Sequence, residues 1–325
     1  MPPDDDAFLA AVEPLRPAIR LHGYRMLGST QDGEDVVQET WLRAWRAKDS
    51  LEDRSRLRPW LYRIATNVCL DELKKRTTPR LLACDAYPPA EDAAPPFAKI
   101  DEPIWLEPMP DTWLEGSAHD PEAQYALKES VALAFVAALQ CLSPVQRATL
   151  LLRDVVGLSA EETAKALDVT ASAANSALFR ARAAVEEKLG GSGQAAVERS
   201  SEVDEALLAR YVRAFEEADI EGVVALFHDD VRTTMPPAPT WIAGRAANAA
   251  FYRRMFGALV PGQFRHVPIH ANGRPALAFY RPPPSGGRHE LAAIQLVTTR
   301  AGKILTVDHF MLPSLYSLFG VPRVL

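Results

Sequence analysis

Residues 32–45, DGEDVVQETWLRAW, and residues 58–76, RPWLYRIATNVCLDELKKR, decide the fold of the first part of the chain. In the first segment, apolar side chains recur at helical spacing, at Val37, Trp41, Ala44 and Trp45. A second stripe of the same helix carries Asp35, Glu39, Leu42 and Arg46. The two stripes predict a helix with one buried face and one outer face. The outer face is either simply solvated or reserved for a partner.

The second segment is also helical, and it combines cations with aromatic rings. Its core positions are Leu61, Ile64, Ala65, Val68 and Leu73. Between them it projects Trp60, Tyr62, Arg63, Asn67 and the cluster Lys74, Lys75 and Arg76. This composition suits single-stranded nucleic acid, because Lys and Arg neutralise phosphates while rings stack on unpaired bases. The alternative is an ordinary helix end, where cations interact favourably with the helix dipole.

Charge is distributed unevenly along the 325 residues. The whole chain carries a formal charge of −6, which argues against a protein that coats nucleic acid. Residues 54–80 nevertheless hold eight basic and two acidic side chains, and residues 81–121 hold one basic and nine acidic side chains. The average therefore hides a basic stripe followed by an acidic segment.

Composition also limits the class of protein. With 48% hydrophobic residues, the chain can form two or three separate cores. No apolar run approaches the roughly 20 residues of a membrane span, and the acidic start MPPDDDAF is unlike a signal peptide, so we expect a cytoplasmic protein without a membrane partner. Cys69, Cys84 and Cys141 form no CxxC pair, which favours neither disulfides nor a zinc site. We expect no cofactor and no metal.

The sequence divides into five segments. They are an all-α region at 1–80, an acidic Pro-rich linker at 81–121, a second all-α region at 122–189, a flexible linker at 190–202 and an α+β domain at 203–325. Eight prolines in 81–121 exclude regular helix and sheet, which predicts an extended linker. The side chains of Trp105, Leu106, Trp113 and Leu114 are too apolar for a pure tether and should dock on a partner or on the C-terminal domain.

Residues 157–182 have the layout of a helix-turn-helix. Ser159 and Glu162 form a capping box at the start of the first helix, Asp168 marks the turn, and Thr170 is placed to cap the second helix. A helix-turn-helix inserts its second helix into the major groove of DNA. Any helical hairpin can mimic this pattern.

The succession LGSTQDGEDVVQETWLRAW and RPWLYRIATNVCLDELKKR resembles region 2 of extracytoplasmic-function RNA polymerase sigma factors. The resemblance implies that the clamp of the largest polymerase subunit binds Asp35, Val36, Gln38, Glu39 and Leu42. It also implies that the minus-ten element of promoter DNA meets Arg58, Trp60, Tyr62, Arg63, Asn67, Lys74, Lys75 and Arg76. The acidic linker would either thread toward a polymerase channel, where its charge mimics phosphate, or remain a solvated tether.

Residues 135–189 resemble region 4 of the same family, which implies binding to the minus-thirty-five element and to the flap of the second-largest subunit. The implied DNA-binding residues are Thr170, Ser172, Asn175, Ser176, Phe179, Arg180 and Arg182. The chain departs from the family where Asn175 and Ala177 replace frequent basic residues, and where Asp168 replaces a frequent glycine. Phosphate affinity must therefore come from Arg180, Arg182 and the basic side of region 2.

The last domain begins with helices and continues with strand-like alternation at 264–270, 276–281, 289–299 and 303–311. It resembles the SnoaL-like α+β cone, which implies a cavity between a curved sheet and helices. Candidate pocket residues are Trp241, Phe251, Tyr252, Phe279 and Met311. Candidate acids and bases, as in enzymes with this fold, are His228, Asp229, Asp230, His270, Asp308 and His309. Asp229 and Asp230 suit a turn, and Asp308 and His309 should point to opposite faces of a strand.

These observations predict a non-catalytic promoter-specificity subunit of RNA polymerase whose C-terminal domain regulates it in cis. An alternative is a cyclase-like or hydrolase-like enzyme of the SnoaL-like type fused to a DNA-binding helical region. A third is a simple repressor, which the region 2 resemblance disfavours.

Overall fold

The computed structural model describes residues 5–51, 53–76, 78–91, 105–115, 121–191, 205–258, 260–283 and 286–325. Its α-helices are, in chain order, α1 (Asp5–Val12), α2 (Arg16–Leu27), α3 (Thr30–Arg46), α4 (Leu57–Lys75), α5 (Ala83–Ala86), α6 (Pro121–Glu129), α7 (Leu133–Gln140), α8 (Pro144–Leu150), α9 (Ala160–Leu167), α10 (Ala171–Gly191), α11 (Glu205–Glu216), α12 (Ile220–Ala225) and α13 (Arg245–Phe256). Its strands are β1 (Phe227–Met235), β2 (Ala238–Ala243), β3 (Arg265–Ala271), β4 (Arg274–Arg281), β5 (Glu290–Arg300) and β6 (Lys303–Phe310).

The chain forms two units. The first unit comprises Met1–Arg80 and Trp113–Gln194, and the second comprises Leu81–Thr112 and Ala195–Leu325. Each described helix falls short of the combination of length and apolar character that a membrane span requires.

In the first unit, α2 and α3 approach each other closely at two glycines. Helix α2 ends at Gly28, whose φ of 73° lies in the left-handed region, and Ser29 then accepts the Asp32 amide to cap α3. A Cβ atom at Gly33 would lie 3.1 Å from the Arg20 carbonyl oxygen, and one at Gly23 would lie 3.0 Å from Val36 Cβ. Glycine at both positions therefore allows the inner face of α3 to pack closely against α2.

The two helical regions of the first unit share one hydrophobic core. Side chains of α3 and α4 and side chains of α7 to α10 belong to the same cluster, whose fully buried members include Val37, Leu61, Cys69, Leu139, Leu151 and Ala181. Region 2 and region 4 therefore pack directly on each other rather than as separate domains.

The second unit is built on a six-stranded sheet with the order β2-β1-β6-β5-β4-β3. Neighbouring strands are antiparallel except β1 and β6, which are parallel. Side chains of α11 to α13 join one face of this sheet in a core that includes Tyr211, Phe215, Tyr252 and Val307. This confirms the predicted α+β cone.

The four predicted strands are confirmed as β3, β4, β5 and β6. Strand β2 was not expected, and the prediction that Asp229 and Asp230 occupy a turn is wrong, because both lie within β1 with exposed side chains. Asp229 and Asp230 lie between Phe227 and Arg232, where the pairing of β1 with β6 shifts register, and their side chains face solvent. Their polarity therefore reflects exposure and not a turn.

The described part of segment 81–112 packs within the second unit. Trp105 and Leu106 are buried, and the Leu106 amide donates to the Leu81 carbonyl at 3.1 Å. The Met109 amide donates to Asn272 Oδ1 at 2.9 Å, and the Asn272 amide returns a bond to the Met109 carbonyl. Where the sequence predicts an extended linker without regular structure, the structure has the one-turn helix α5 and a strap tied to the β3–β4 turn.

Candidate functional site

The outer face of α3 presents a small apolar spot among polar groups. Asp35 and Gln38 are exposed, and Leu42 is 54% exposed. Glu39 accepts a hydrogen bond from Arg43 Nε at 2.7 Å, which holds its carboxylate along the helix. An exposed leucine on a helix whose opposite face is in the core is available to a protein partner.

Val36 does not belong to this surface. Its side chain is 2% exposed and lies in the core against Gly23. The expectation that Val36 contacts the polymerase clamp is therefore corrected: its role is to pack α3 against α2.

Helix α4 separates the implied minus-ten residues into an exposed set and a buried set. Arg58, Arg63, Lys74 and Lys75 are exposed, and Asn67 is half-buried. Trp60 packs edge-on against Phe8 with ring centroids 6.4 Å apart. Arg76 bonds Asp32 Oδ2 at 2.8 Å.

Tyr62 lies in the buried set. It is 5% exposed and packs edge-on against the His22 ring, and burial raises the pKa of its hydroxyl. The prediction that Tyr62 faces solvent from α4 is therefore corrected for this conformation. Its ring is occupied by core contacts and is not exposed to a DNA partner in this conformation.

His22 is the inner neighbour of these residues. Its Nε2 lies 3.0 Å from Thr66 Oγ1, and burial together with the charge of Arg25 lowers its pKa to about 3. The imidazole is therefore neutral and serves as a packing group beneath α4.

The helix-turn-helix is confirmed in its caps and its turn. The Ser159 amide donates to Glu162 Oε2 at 2.8 Å and the Glu162 amide donates to Ser159 Oγ at 3.1 Å, which completes the capping box. Asp168 takes a φ of 54° and ends α9 in the left-handed region, a conformation that Asp tolerates better than most residues. Thr170 Oγ1 accepts the Ala173 amide at 3.1 Å and caps α10.

One face of α10 is a solvent-exposed stripe. It consists of Ser172, Asn175, Ser176, Phe179 and Arg180. Phe179 is 77% exposed, while Ala174, Ala177 and Leu178 on the opposite face are buried. Arg182 lies at the border of the stripe and forms two hydrogen bonds with Asp154, at 2.6 and 2.8 Å, which raise the pKa of its guanidinium.

A polar clasp, defined here as Arg25, Ser130, Gln140 and Arg147, joins region 2 to region 4. Arg147 is 2% exposed and donates to the Met26 carbonyl and to Gln140 Oε1, while Gln140 Nε2 donates to the Arg25 carbonyl at 3.2 Å. Arg25 donates to the Ser130 carbonyl at 3.0 Å and to its hydroxyl at 2.6 Å. Burial lowers the pKa of both arginines to about 10, so both remain charged at neutral pH.

The helix-turn-helix also contacts α4 directly. Arg58 Nη2 donates to the Val156 carbonyl, in the turn that precedes α9, at 2.9 Å. The sequence analysis did not predict the contacts between region 2 and region 4. For the polar clasp, the one indication in the sequence was the polar residue Gln140 in the otherwise apolar run LAFVAALQ.

The second unit contains a cavity of about 550 Å³. Phe251, Phe279 and Met311 line it as predicted, together with Phe215, Met235, Phe256, Phe264, Gln295, His309 and further residues. Trp241 and Tyr252 do not line it, which corrects the predicted pocket. Trp241 packs with Ala83 and Trp105 and donates to the Tyr87 carbonyl at 2.7 Å, and Tyr252 is fully buried in the helix–sheet core.

The candidate acids and bases are dispersed. His309 lines the cavity, whereas its neighbour Asp308 accepts hydrogen bonds from Thr234 at 2.7 Å and Thr306 at 3.3 Å on the other face of the strand. The two side chains therefore point to opposite faces, as predicted. His270 is exposed, and His228 lies near Asp230, 3.7 Å away. Among the described residues, no Asp–His pair meets inside the cavity, and no cluster of His, Cys, Asp and Glu is arranged to hold a metal.

Comparisons with known proteins match all three parts of the chain. The model of Sigma-70 region 2 matches residues 11–78, the model of Sigma-70 region 4 matches residues 132–185, and the model of the SnoaL-like domain matches residues 208–307.

Two relatives from Mycobacterium tuberculosis extend the match. The ECF RNA polymerase sigma factor SigG is 39% identical over 315 residues, which cover 97% of this chain and 84% of that protein. The ECF RNA polymerase sigma factor SigJ is 30% identical over 225 residues, or 68% of this chain and 62% of that protein. The crystal structure of SigJ has the same fold, with a TM-score of 0.64 at 24% identity over 97% of this chain and all of that one. The chain therefore belongs to the ECF family of RNA polymerase sigma factors and carries a SnoaL-like domain at its C-terminal end.

Proposed function

We propose that this sigma factor binds the clamp of core RNA polymerase through the outer face of α3, engages minus-ten DNA with α4 and reads minus-thirty-five DNA with α10. The observation that carries the proposal is the exposure of Leu42, at 54%, beside Asp35 and Gln38 on a helix that is otherwise anchored in the core. An apolar side chain within a polar rim is the usual centre of a protein–protein contact.

Helix α4 supplies the charge for the minus-ten contact. Arg63, Lys74 and Lys75 are exposed and can neutralise phosphates, with an affinity that falls as salt rises. Trp60 and Tyr62 can stack on unpaired bases only when they leave the core, so DNA opening and rearrangement of α4 are coupled in this proposal.

Helix α10 combines few charges with one exposed ring. Asn175 and Ser176 offer donors and acceptors to base edges, and Phe179 offers an apolar surface of the kind that packs on thymine methyl groups. Arg180 supplies a phosphate contact. The region of α8 to α10 would also meet the flap of the second-largest subunit, in line with the family.

Promoter geometry requires the first unit to open. Elements centred about 10 and 35 base pairs upstream are separated by roughly 85 Å of duplex, at about 3.4 Å per base pair. Here α4 touches the turn before α9 through Arg58 and Val156, and α4 itself is only about 28 Å long at about 1.5 Å per residue. The packed arrangement therefore corresponds to a free, closed state in which the polar clasp holds the two DNA-binding elements together.

Under the proposal, the C-terminal domain regulates in cis the balance between the closed and open states of the first unit. It belongs to the same chain as the DNA-binding elements, so even weak contacts act at a high effective concentration.

The test is run-off transcription with core polymerase, on templates selected with a truncation that ends near Gly190. We expect Leu42→Asp to reduce transcript at least about tenfold, since a charge would be buried at the clamp. The matched control is Leu9→Asp, at another exposed leucine of the same unit, 44% exposed. Equal loss in both variants, or promoter-independent background from the unmodified chain, would refute the α3 assignment. A difference between the full chain and the truncation measures regulation by the C-terminal domain, and equal activity would refute it.

A further inference from the structure

Three helix ends meet around the carboxylate of Asp32 in the first unit. Asp32 lies in the first turn of α3, just after the cap at Ser29. Its Oδ2 accepts from Arg76 Nη2 at 2.8 Å and from Arg80 Nε at 3.2 Å. Arg76, the residue that caps the end of α4, also donates through Nη1 to the carbonyl of Leu27, the last residue of α2, at 3.4 Å. We call Asp32, Arg76 and Arg80 the helix-end brace, because they join the end of α2, the start of α3 and the end of α4.

The two arginines of the brace differ from the other cations at this end of α4 in their burial. The side chain of Arg80 is 8% exposed and that of Arg76 is 19% exposed, whereas that of Lys74 is 77% exposed. Breaking a buried ion pair is costly, because the charge that loses its partner stays desolvated. The arginines are therefore fixed within the fold, although the family resemblance assigned Arg76 to a DNA contact.

The charges of the brace are balanced by the acids around it. Glu72, one turn earlier on α4, places Oε1 3.5 Å from Arg76 Nη2. Together with Asp32, it sets two carboxylates against the two guanidinium groups. Neutralised cations offer little attraction to a phosphate. What the brace supplies is therefore a fixed geometry of helix ends and not a positive charge for DNA.

The helices that the brace joins carry two contact faces of the proposed function. Helix α3 bears the face around Leu42 for the clamp, and the last turn of α4 bears Lys74 and Lys75 for minus-ten phosphates. Both lysines immediately precede Arg76 in the chain. The brace therefore sets the position of these lysines relative to the clamp-binding face, and with it the position of minus-ten DNA relative to the polymerase.

We propose that the helix-end brace is a positioning device, which acts on promoter DNA by placing Lys74 and Lys75 and does not itself contact the DNA. The inference rests on the proposed minus-ten contact and adds the residues that align this contact with the clamp contact. Asp32→Asn separates a positioning role from a charge role, because the two predict opposite effects. Loss of a carboxylate near a phosphate-binding face strengthens DNA binding by reducing repulsion, whereas loss of the brace weakens it.

The first test compares holoenzymes assembled from core polymerase and the full chain, on a fluorescently labelled fragment of the promoter selected for the transcription assay. We expect Asp32→Asn to bind this promoter roughly tenfold more weakly and to bind core polymerase with unchanged affinity, because the outer face of α3 is intact. The matched control is Asp71→Asn, which also removes one carboxylate between α3 and α4. Its partners Arg43 and Lys74 are largely exposed, so this variant should bind the promoter as tightly as the unmodified chain or more tightly.

The outcomes of this comparison are distinct. Promoter binding by Asp32→Asn that equals or exceeds that of the unmodified chain would overturn the positioning role. Equal losses of core and promoter binding would show that the brace only stabilises the fold, which also overturns it. If the unmodified holoenzyme did not bind the promoter, the proposed minus-ten contact would fail, and this inference would fail with it.

The second test keeps the charge and removes the geometry. Arg80→Lys loses the forked guanidinium that reaches Asp32 through Nε and Nη2, while an ammonium group would still bind a phosphate. We expect about threefold weaker promoter binding for Arg80→Lys. The double variant with Asp32→Asn should bind no more weakly than Asp32→Asn alone, because both changes break the same brace. Unaltered affinity in Arg80→Lys, or losses that add in the double variant, would contradict the proposal, and Arg80→Lys decides the question even if Asp32→Asn does not fold.

Discussion

His266 sits in β3 with no hydrogen-bond partner for either ring nitrogen, although it is only 8% exposed. Its ring packs 5.2 Å from Phe279 and 5.6 Å from Phe215, measured between centroids. Burial, and to a smaller degree the nearby His309, lowers its pKa to about 3. An unpartnered imidazole in an aromatic cluster costs free energy, and that cost depends on pH.

The sign of this dependence follows from the two pKa values. In the unfolded chain the imidazole titrates near 6.5, whereas in the fold it stays neutral down to about 3. Below pH 6.5 the unfolded chain therefore binds the extra proton, and stability is lost at up to about 1.4 kcal/mol per pH unit until about pH 3.

We expect His266→Leu to raise the free energy of unfolding at pH 7 by about 1–3 kcal/mol, since it removes two unpartnered polar atoms. It should also flatten the loss of stability between about pH 6.5 and pH 5. The measurement is urea unfolding followed by circular dichroism at several pH values. His270→Leu, at an exposed histidine of the same strand, is the control and should change neither quantity. A variant with unaltered pH dependence would show that His266 is protonated or partnered in solution.

Arg147 is the central residue of the polar clasp, and its removal would leave several buried acceptors without a hydrogen-bond donor. Its guanidinium donates hydrogen bonds to the Met26 carbonyl, to Gln140 Oε1 at 2.6 Å and to the Leu142 carbonyl at 3.3 Å. We expect Arg147→Met to lower the free energy of unfolding of the first unit by about 3 kcal/mol, because the aliphatic stem is kept but the buried acceptors lose their donor. Thermal unfolding checks this, with Arg180→Met at an exposed arginine as the control. A loss below about 0.5 kcal/mol would mean that water replaces the guanidinium in solution.

At the level of elements, the sequence predicted what local chemistry determines. Neighbouring residues determine the capping box at Ser159, the cap at Thr170 and the alternation of β3 to β6. The structure contains all of these features. Strand β2 was missed because the turn between β1 and β2 contains the adjacent prolines Pro236 and Pro237. Two prolines in sequence indicate the end of a strand and not a hairpin. The parallel pairing of β1 with β6 depends on a partner about 75 residues away and leaves no local signal.

The cap of α10 can be tested directly. We expect Thr170→Ala to lower stability by about 1 kcal/mol, because the Ala173 amide loses its acceptor at the first turn. Ser172→Ala, two residues later on the exposed stripe, should stay within about 0.5 kcal/mol of the unmodified chain. Guanidinium unfolding of both variants provides the comparison. If the two variants were equally destabilised, the loss of stability would result from a change in helix propensity and not from loss of the cap.

At the level of the candidate sites, the site residues that the family resemblance implied fall into an exposed group and a buried group. Resemblance placed Val36, Tyr62, Trp241 and Tyr252 in functional surfaces, and all four are core residues in this structure. Helical and strand periodicity cannot assign them, because each lies on an element that is covered on more than one side by residues distant in sequence. The cavity lining shows the converse case: Gln295 could have been found as the polar residue between Ala293 and Val297, the buried positions two residues before and after it on β5.

At the scale of the whole molecule, the property that sequence did not predict is the shared core of region 2 and region 4. A common hydrophobic cluster spans both, although residues 81–112, which separate them in the chain, belong to the other unit. Each region alone has the amphipathic helices of a small domain, and no periodicity shows which outer faces will meet. Under the proposed promoter contacts, this shared core would have to open, because the two regions would bind DNA elements that lie far apart.

We therefore expect a large decrease in Förster transfer between region 2 and region 4 when the sigma factor joins core polymerase on promoter DNA. Donor and acceptor dyes are attached through Thr78→Cys just after α4 and Glu186→Cys on α10, both exposed positions outside the proposed DNA contacts, with Cys84 and Cys141 replaced by Ser. Transfer should be high in the free chain, because α4 packs on the helix-turn-helix, and should be nearly lost across a promoter whose elements are roughly 85 Å apart.

The control for this measurement is a dye pair within region 2, at Asp49→Cys and Thr78→Cys, whose transfer should not change on assembly. Arg58→Ala, which removes the bond to the Val156 carbonyl, should shift the free chain toward low transfer without changing the promoter-bound value. High transfer that persists in a complex active in transcription would mean that region 2 and region 4 read their elements from the closed arrangement, and the proposed opening would be wrong. Low transfer already in the free chain would mean that the shared core does not hold the two regions together in solution.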